Sequence, residues 1–275
     1  MDIISENMSH GGMQGVYKHV AKTTQCEMTF AVFMPPSKKI PSPVLWYLSG
    51  LTCNHSNVME KGGYRRLAAE LGIAIVCPDT SPRGESVPDE RDNWQFGSGA
   101  GFYLDATELP FSLNYNMSSY ILDELTELID DKFDVDMNRQ GIFGHSMGGH
   151  GALTMALKNP KRFRSCSAFA PISHPTTADW SMPAFQKYLG QKSDEWRKYD
   201  AVSLIEDGNF FPKLFVDQGE ADSFLEEGLR PWLLVEACEK AGIEIELRMH
   251  KNYDHSYFFI STFMEDHLRW HFSHL

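Results

Sequence analysis

Hydrophobic and polar positions along the chain fall into a repeating rhythm of short strands and helices. Residues 26–34 place Cys26, Met28, Phe30, Val32 and Met34 at alternate positions, the period of a half-buried strand. Pro35-Pro36 ends it, because proline has no N–H for a sheet ladder. Residues 43–48 and 73–77 are unbroken apolar runs bounded by Gly, Pro or Asp, which suit strands buried on both faces. Between them, residues 61–71 can form a helix. Residues 118–133 bring Ile121, Leu122, Leu125, Leu128, Ile129 and Phe133 to helical spacing. Further on come a short apolar run at 140–143, a small-residue helical run at 149–157, and apolar runs at 167–170 and 214–216. A helix starting at Pro231, a good first-turn residue, runs to Ala241. An alternating strand at 243–247 and a closing helix at 258–272 complete the series.

Strands alternating with helices predict an α/β fold, with a mostly parallel central sheet and helices on both faces. The length suits one such domain over residues 1–275. Two stretches rich in Pro, Gly and aromatics, 80–114 and 171–212, interrupt the rhythm. Insertions of that length inside a compact domain are usually functional. Both follow strands at their C-terminal ends, where open α/β sheets bind ligands.

Within this pattern Gly144-His145-Ser146-Met147-Gly148 lies between a predicted strand and a predicted helix. That is the setting of a nucleophile elbow, whose sharp turn tolerates only tiny residues two before and two after the serine. The Ser146 hydroxyl then stands at the top of the sheet, with the backbone N–H of Met147 facing the same point. A serine is a weak nucleophile until a base takes its proton. In this fold class the acid and then the histidine follow the serine in the chain. Of the late histidines, His267, His271 and His274 fall in or beyond the closing helix and read as surface or core-edge residues. His250 ends the last strand and reads as structural or as a near miss. His255 lies in the loop between last strand and last helix, where a base must hang to reach the elbow. Asp217, Glu220 and Asp222 are candidates for its acid. Asp222 is preferred because it lies beyond the Gly219 turn. Asp217 directly follows a strand and can serve as a turn carboxylate.

The other half of an oxyanion hole is expected in the loop Ser49-Gly50-Leu51-Thr52-Cys53, with the backbone N–H of Leu51 as donor. Cys53 reads either as a small buried hydrophobe or as a thiol beside the acyl site. Residues 94–103 lack the Lys-Ser/Thr ending of a phosphate loop; their aromatics and glycines suit either a pocket wall or ordinary packing. His145 and His150 read as makers of structural hydrogen bonds. No metal-ligand spacing appears, so neither metal nor other cofactor is expected.

Composition narrows the picture. A net charge of −12 argues against nucleic acid as a partner. No apolar stretch approaches a membrane span. The polar start lacks the features of a signal peptide, which leads us to expect a cytoplasmic protein. Sequons at Asn7, Asn54 and Asn116 then carry no meaning. Five widely spaced cysteines, Cys26, Cys53, Cys77, Cys166 and Cys238, read as free thiols.

Taken together, residues 47–53, 78–84, 99–103, 143–153, 217–222 and 253–257 resemble the S-formylglutathione hydrolase (esterase D) family nearly end to end. The resemblance implies an α/β-hydrolase fold, a cytoplasmic and often homodimeric enzyme, and a small-molecule glutathione thioester as substrate. It implies hydrolysis of S-formylglutathione to glutathione and formate, the last step of glutathione-dependent formaldehyde removal. By position it gives Ser146 as nucleophile, Asp222 as acid, His255 as base, Leu51 and Met147 as oxyanion donors, and a sensitive thiol at Cys53. Lys61, Arg65, Arg83 and Arg91 are candidate partners for the glutathione carboxylates. The nearest rival is a general short-chain carboxylesterase with the same triad. An acyltransferase and a non-enzymatic interaction protein are further alternatives.

Overall fold

The computed structural model describes residues 1–36, 40–90 and 93–275. Among them, nine strands make one sheet. In chain order these are β1 (Asp2–Ser9), β2 (Gly12–Ala21), β3 (Cys26–Met34), β4 (Ser42–Leu48), β5 (Ala74–Pro78), β6 (Val135–His145), β7 (Phe163–Phe169), β8 (Lys213–Gly219) and β9 (Glu244–His250). Their spatial order is β1-β2-β3-β5-β4-β6-β7-β8-β9. From β4 to β9 every pairing is parallel, and β1, β2 and β3 add an antiparallel flank joined to β5.

The parallel half requires crossovers, which helices supply. Helices α1 (His55–Lys61) and α2 (Arg65–Leu71) link β4 to β5. The expected helix over 61–71 therefore starts earlier and is broken at Gly62-Gly63, where Gly63 takes a φ of +72°. Helices α3 (Met117–Ser119) and α4 (Thr126–Lys132), joined by a π-helical turn at Tyr120–Leu125, precede β6. Next come α5 (Met147–Lys158), α6 (Met182–Leu189), α7 (Asp194–Arg197), α8 (Ala201–Glu206), α9 (Pro231–Ala241) and α10 (Tyr257–Phe272). Helix α5 packs on α8 and α8 on α9, whereas α10 packs on α1 and α2, giving two helical layers.

Two further expectations change, and two strands had no counterpart in the sequence pattern. Strand β3 is not half-buried: Phe30, Ala31, Val32 and Phe33 are all fully buried, because β2 and β5 flank the strand and α1 packs over it. The region 171–212 is not a plain insertion but carries α6, α7 and α8, each shorter than the window in which helical periodicity shows. Finally, β1 and β2 extend the sheet at its N-terminal edge. Strand β1 is exposed along nearly its whole length, Ile3, Ile4 and Met8 included, so it leaves no burial pattern in the sequence. No helix among the described residues is long and apolar enough to cross a membrane.

Because the strands are parallel, the C-terminal ends of β4, β6, β8 and β9 open onto one edge of the sheet. Residues 49–53, Ser146, Asp222 and His255 all follow those ends.

Candidate active site

Ser146 joins β6 to α5 with φ +57° and ψ −119°, a sparsely populated conformation. Such strain, on the order of 1–3 kcal/mol, persists only where the surroundings impose it. Here the Ser146 N–H donates to the Phe169 carbonyl (3.0 Å), and the Ser146 carbonyl accepts from the N–H groups of His150 (2.9 Å) and Ile172 (3.3 Å). A Cβ on Gly144 would strike the Gly148 carbonyl, and one on Gly148 would strike the Leu48 carbonyl. Glycine at both positions is therefore a steric condition of the turn. Met147 opens α5, so its N–H has no partner within the helix.

The opposing loop is held from behind. Tyr103 Oη donates to the Ser49 carbonyl (2.8 Å). The Thr52 N–H donates to the Gly99 carbonyl (2.9 Å). Thr80 Oγ1 and Arg83 Nη2 donate to the Cys53 carbonyl at 2.5 and 3.0 Å. A Cβ built on Gly50 would lie 3.3 Å from the Ser146 Cβ, which shows how closely the loop approaches the elbow. Among the described residues, the Leu51 N–H donates to no backbone carbonyl.

His255 Nδ1 lies 2.5 Å from Asp222 Oδ2. The carboxylate is itself fixed: Oδ1 accepts from the Phe224 N–H (2.9 Å), and Oδ2 also accepts from Gln218 Nε2 (3.2 Å). Two backbone bonds tie the loops together, Glu220 N–H to the His250 carbonyl (3.0 Å) and Ala221 N–H to the Tyr253 carbonyl (2.9 Å). Gly219 allows that approach, since a Cβ there would strike the Tyr253 carbonyl. An ionised carboxylate only accepts, so it holds the His255 proton on Nδ1 and leaves a lone pair on Nε2. Asp254, adjacent in sequence, bonds instead to the N–H and hydroxyl of Ser256.

Asp217 is engaged elsewhere. Its two oxygens accept from Arg248 Nε and Nη2, both at 2.6 Å, and His250 Nε2 lies 3.1 Å away. Burial alone would raise the carboxyl pKa, but Arg248 and His267 outweigh it and hold the group well below the usual carboxylate range.

A cavity of about 290 Å³ joins these parts. Gly50, Leu51, Thr52 and Cys53 line it with His145, Ser146 and His255, and Trp94, Trp180 and Phe224 form an aromatic wall. Among the described residues, larger hollows lie beside α8 and α9 (about 640 Å³) and beside α6 (about 670 Å³); His174, paired to Asp200, lines the first, but neither is lined by a serine or cysteine that could act as nucleophile. Convergent chemistry rather than size picks out the smaller one.

An esterase family model, described as putative esterase, matches residues 21–270. An S-formylglutathione hydrolase of Paracoccus denitrificans is 48% identical, with 98% of this chain and 96% of that protein covered. One of Mus musculus is 47% identical over 99% and 98%. The solved structure of an S-formylglutathione hydrolase from Agrobacterium tumefaciens superimposes with a TM-score of 0.99 at 64% identity, covering both chains completely. The chain belongs to the S-formylglutathione hydrolase family. It is a hydrolase, and its fold is that of the α/β hydrolases.

Several features bear on how this S-formylglutathione hydrolase family member is built. Cys53 lines the cavity and is partly exposed. Burial pushes its thiol pKa up, with Tyr257 and Lys61 pulling the other way. Among the basic candidates, Arg83 is committed to Asp79 and to the Cys53 carbonyl, and Arg65 bonds to the Met59 carbonyl. Lys61 has its Nζ 6.0 Å from the Tyr257 ring centroid. Arg91 lies outside the described residues. Among the described residues, no cluster of three or more His, Cys, Asp or Glu is arranged to hold a metal ion.

Of the stretch 94–103, Trp94 lines the cavity, while Phe96, Phe102 and Tyr103 are buried in the core. Sequence reasoning missed Trp180 and Phe224, which come from segments without periodicity. The only pointer to Trp180 was the aromatic richness of the insertion that carries it. His150 makes the expected kind of bond, Nε2 to the Phe102 carbonyl at 3.1 Å, but neither ring nitrogen of His145 has a hydrogen-bond partner. His267 and His271 are not surface or core-edge residues; both are fully buried.

Proposed function

We propose that this enzyme hydrolyses S-formylglutathione to glutathione and formate through Ser146, His255 and Asp222. The observation that carries the reading is the 2.5 Å contact between His255 and Asp222 at a cavity shared with a strained serine elbow. His255 Nε2 takes the Ser146 proton as the serine oxygen attacks the formyl carbon. The carbonyl oxygen becomes an oxyanion facing the N–H groups of Leu51 and Met147. Fixed donors of this kind contribute on the order of 10²–10³ in rate each. The C–S bond breaks, the glutathione sulfur leaves with the proton from His255, and Ser146 carries the formyl group. Water, deprotonated by His255, then releases formate and restores the serine. Asp222 holds the imidazole in the required tautomer and offsets its positive charge during both steps.

The family resemblance supports the substrate and, with it, a place as the last step of glutathione-dependent formaldehyde removal. Free thiols at all five cysteines suit a reducing, cytoplasmic setting. A homodimer is part of the proposal; light scattering that finds only monomer would remove it. The aromatic wall of Trp94, Trp180 and Phe224 favours one second reading, a general short-chain carboxylesterase, because it suits an apolar alcohol portion. The deciding experiment compares kcat/KM for S-formylglutathione and for a short acetate ester, with Ser146→Ala as control. Preference for the thioester supports the first reading, and equal or better ester turnover supports the second.

A further inference from the structure

His145 belongs to neither the dyad nor the oxyanion loop, yet it touches both. Its ring centroid lies 4.3 Å from that of His255, with the planes tilted by 46°. On the loop side, a Cβ on Gly50 would lie 3.1 Å from its Nδ1. Both ring nitrogens are shut off from solvent, and the polar group near them is the His255 backbone, which falls outside full hydrogen-bond geometry. Their occlusion rules out a direct polar contact with a substrate in the cavity, to which the ring offers carbon atoms. What the ring does meet is the imidazole of His255. That imidazole is packed by two rings, because Phe224 meets it edge-on at 5.0 Å and 68°. Asp222 fixes one corner of the imidazole, and one hydrogen bond leaves rotation about its axis open.

We propose that His145 is a positioning residue: with Phe224 it clamps the His255 imidazole so that Nε2 stays aimed at the Ser146 hydroxyl. The assignment rests on the triad reading above. A ring held by one hydrogen bond can swing, and a small misplacement of a base is costly in rate. A tilted ring with its centroid 4.3 Å away and an edge-on ring at 5.0 Å restrict that swing. The clamp must also stay neutral, or it would oppose the imidazolium that His255 becomes. Burial and the neighbouring His255 hold the His145 pKa well below the ordinary histidine value. Besides His255, the titratable group facing it is the Tyr257 phenol, at 6.3 Å between ring centroids and raised by burial, hence also neutral.

The experiment compares His145→Phe, which keeps a ring of similar size, with His145→Leu, which keeps bulk without a flat face. kcat and KM are measured for both S-formylglutathione and an acetate ester, with melting temperature as a folding check. The clamp predicts that His145→Leu loses about 10- to 100-fold in kcat on both substrates, with KM within about twofold. His145→Phe should recover kcat to within about threefold of the starting enzyme. Equal kcat in the two variants, whether both unchanged or both low, would overturn the clamp. So would a loss confined to KM. If S-formylglutathione proves the wrong substrate, the ester still reports the clamp. If the triad is wrong, Ser146→Ala stays active, and that failure is separate.

Discussion

Strand β8 serves two Ser–His–Asp constellations, and only one of them opens onto a cavity. At the open one, Asp222 just past the strand holds His255 beside the Ser146 elbow. At the sealed one, Asp217 within the strand lies 3.3 Å from His267 Nε2, and His267 Nδ1 lies 2.8 Å from Ser167 Oγ. The second set continues through His271 Nε2, 2.7 Å from Ser167 Oγ, to Ser165 Oγ, 2.6 Å from His271 Nδ1. One assignment of protons satisfies the whole chain. Ser165 donates to His271 Nδ1, His271 Nε2–H to Ser167, Ser167 to His267 Nδ1, and His267 Nε2–H to Asp217. Every hydroxyl proton is spent and both imidazoles are neutral. The residue types of a catalytic triad are thus present twice. What separates them is access, a strained serine and nearby N–H groups without internal partners, not the list of side chains.

The sharpest break of this comparison comes from the serines. Ser146→Ala should lower turnover by about 10⁴-fold or more with little change in melting temperature. Ser167→Ala should leave turnover of the folded enzyme within about threefold while lowering stability. Activity retained in Ser146→Ala would erase the distinction. The carboxylates give the next largest contrast. Asp222→Asn should reduce kcat by about 10³- to 10⁴-fold by favouring the wrong tautomer. Asp217→Asn should instead cost about 1–3 kcal/mol of stability, because the charge-assisted bonds to Arg248 weaken while Arg248, partly exposed, keeps Asp266. Chemical denaturation and steady-state kinetics on both variants would reveal a reversed order.

Acid should act mainly on the sealed set and its buried neighbours. Burial lowers the pKa of His267 and His271, and pushes His150 down to about 4. An unfolded histidine takes up a proton as pH falls through about 6.5, while these refuse it in the native state. Their contribution is therefore complete above that pH and is lost as pH falls from about 6.5 toward 4. The melting temperature should drop by about 5 °C or more between pH 7.5 and pH 5; a flat profile would show that the imidazoles are not held neutral. The smallest effect is expected from the aromatic edge on His255. Phe224→Ala should cost about 2- to 10-fold in kcat, the size of one aromatic pair; a larger loss would give the wall a further role.

Much of this was legible from the chain because burial writes itself into patterns. Strands β4 and β5, covered on both faces, are continuous apolar runs. Strand β1 buries almost nothing and left no trace. The candidates Ser146, Asp222, His255, Leu51 and Cys53 could be picked out because each follows a strand end or a glycine turn. Trp180 and Phe224 could not, since they reach the cavity through tertiary packing alone. His267 and His271 were misread for a related reason. A histidine in a helix looks solvent-bound until the serines that satisfy it, a hundred residues earlier, are seen opposite.

The backbone bonds that stitch residues 220–221 to His250 and Tyr253 also bear on the order in which the protein is made. Synthesis delivers the elbow and its loop before β9 and His255. Until β9 has docked beside β8, those two bonds do not exist and Ser146 stands without the base proposed for it. On the proposed triad, assembly of β9 against β8 is therefore the step that turns a formed elbow into a working site.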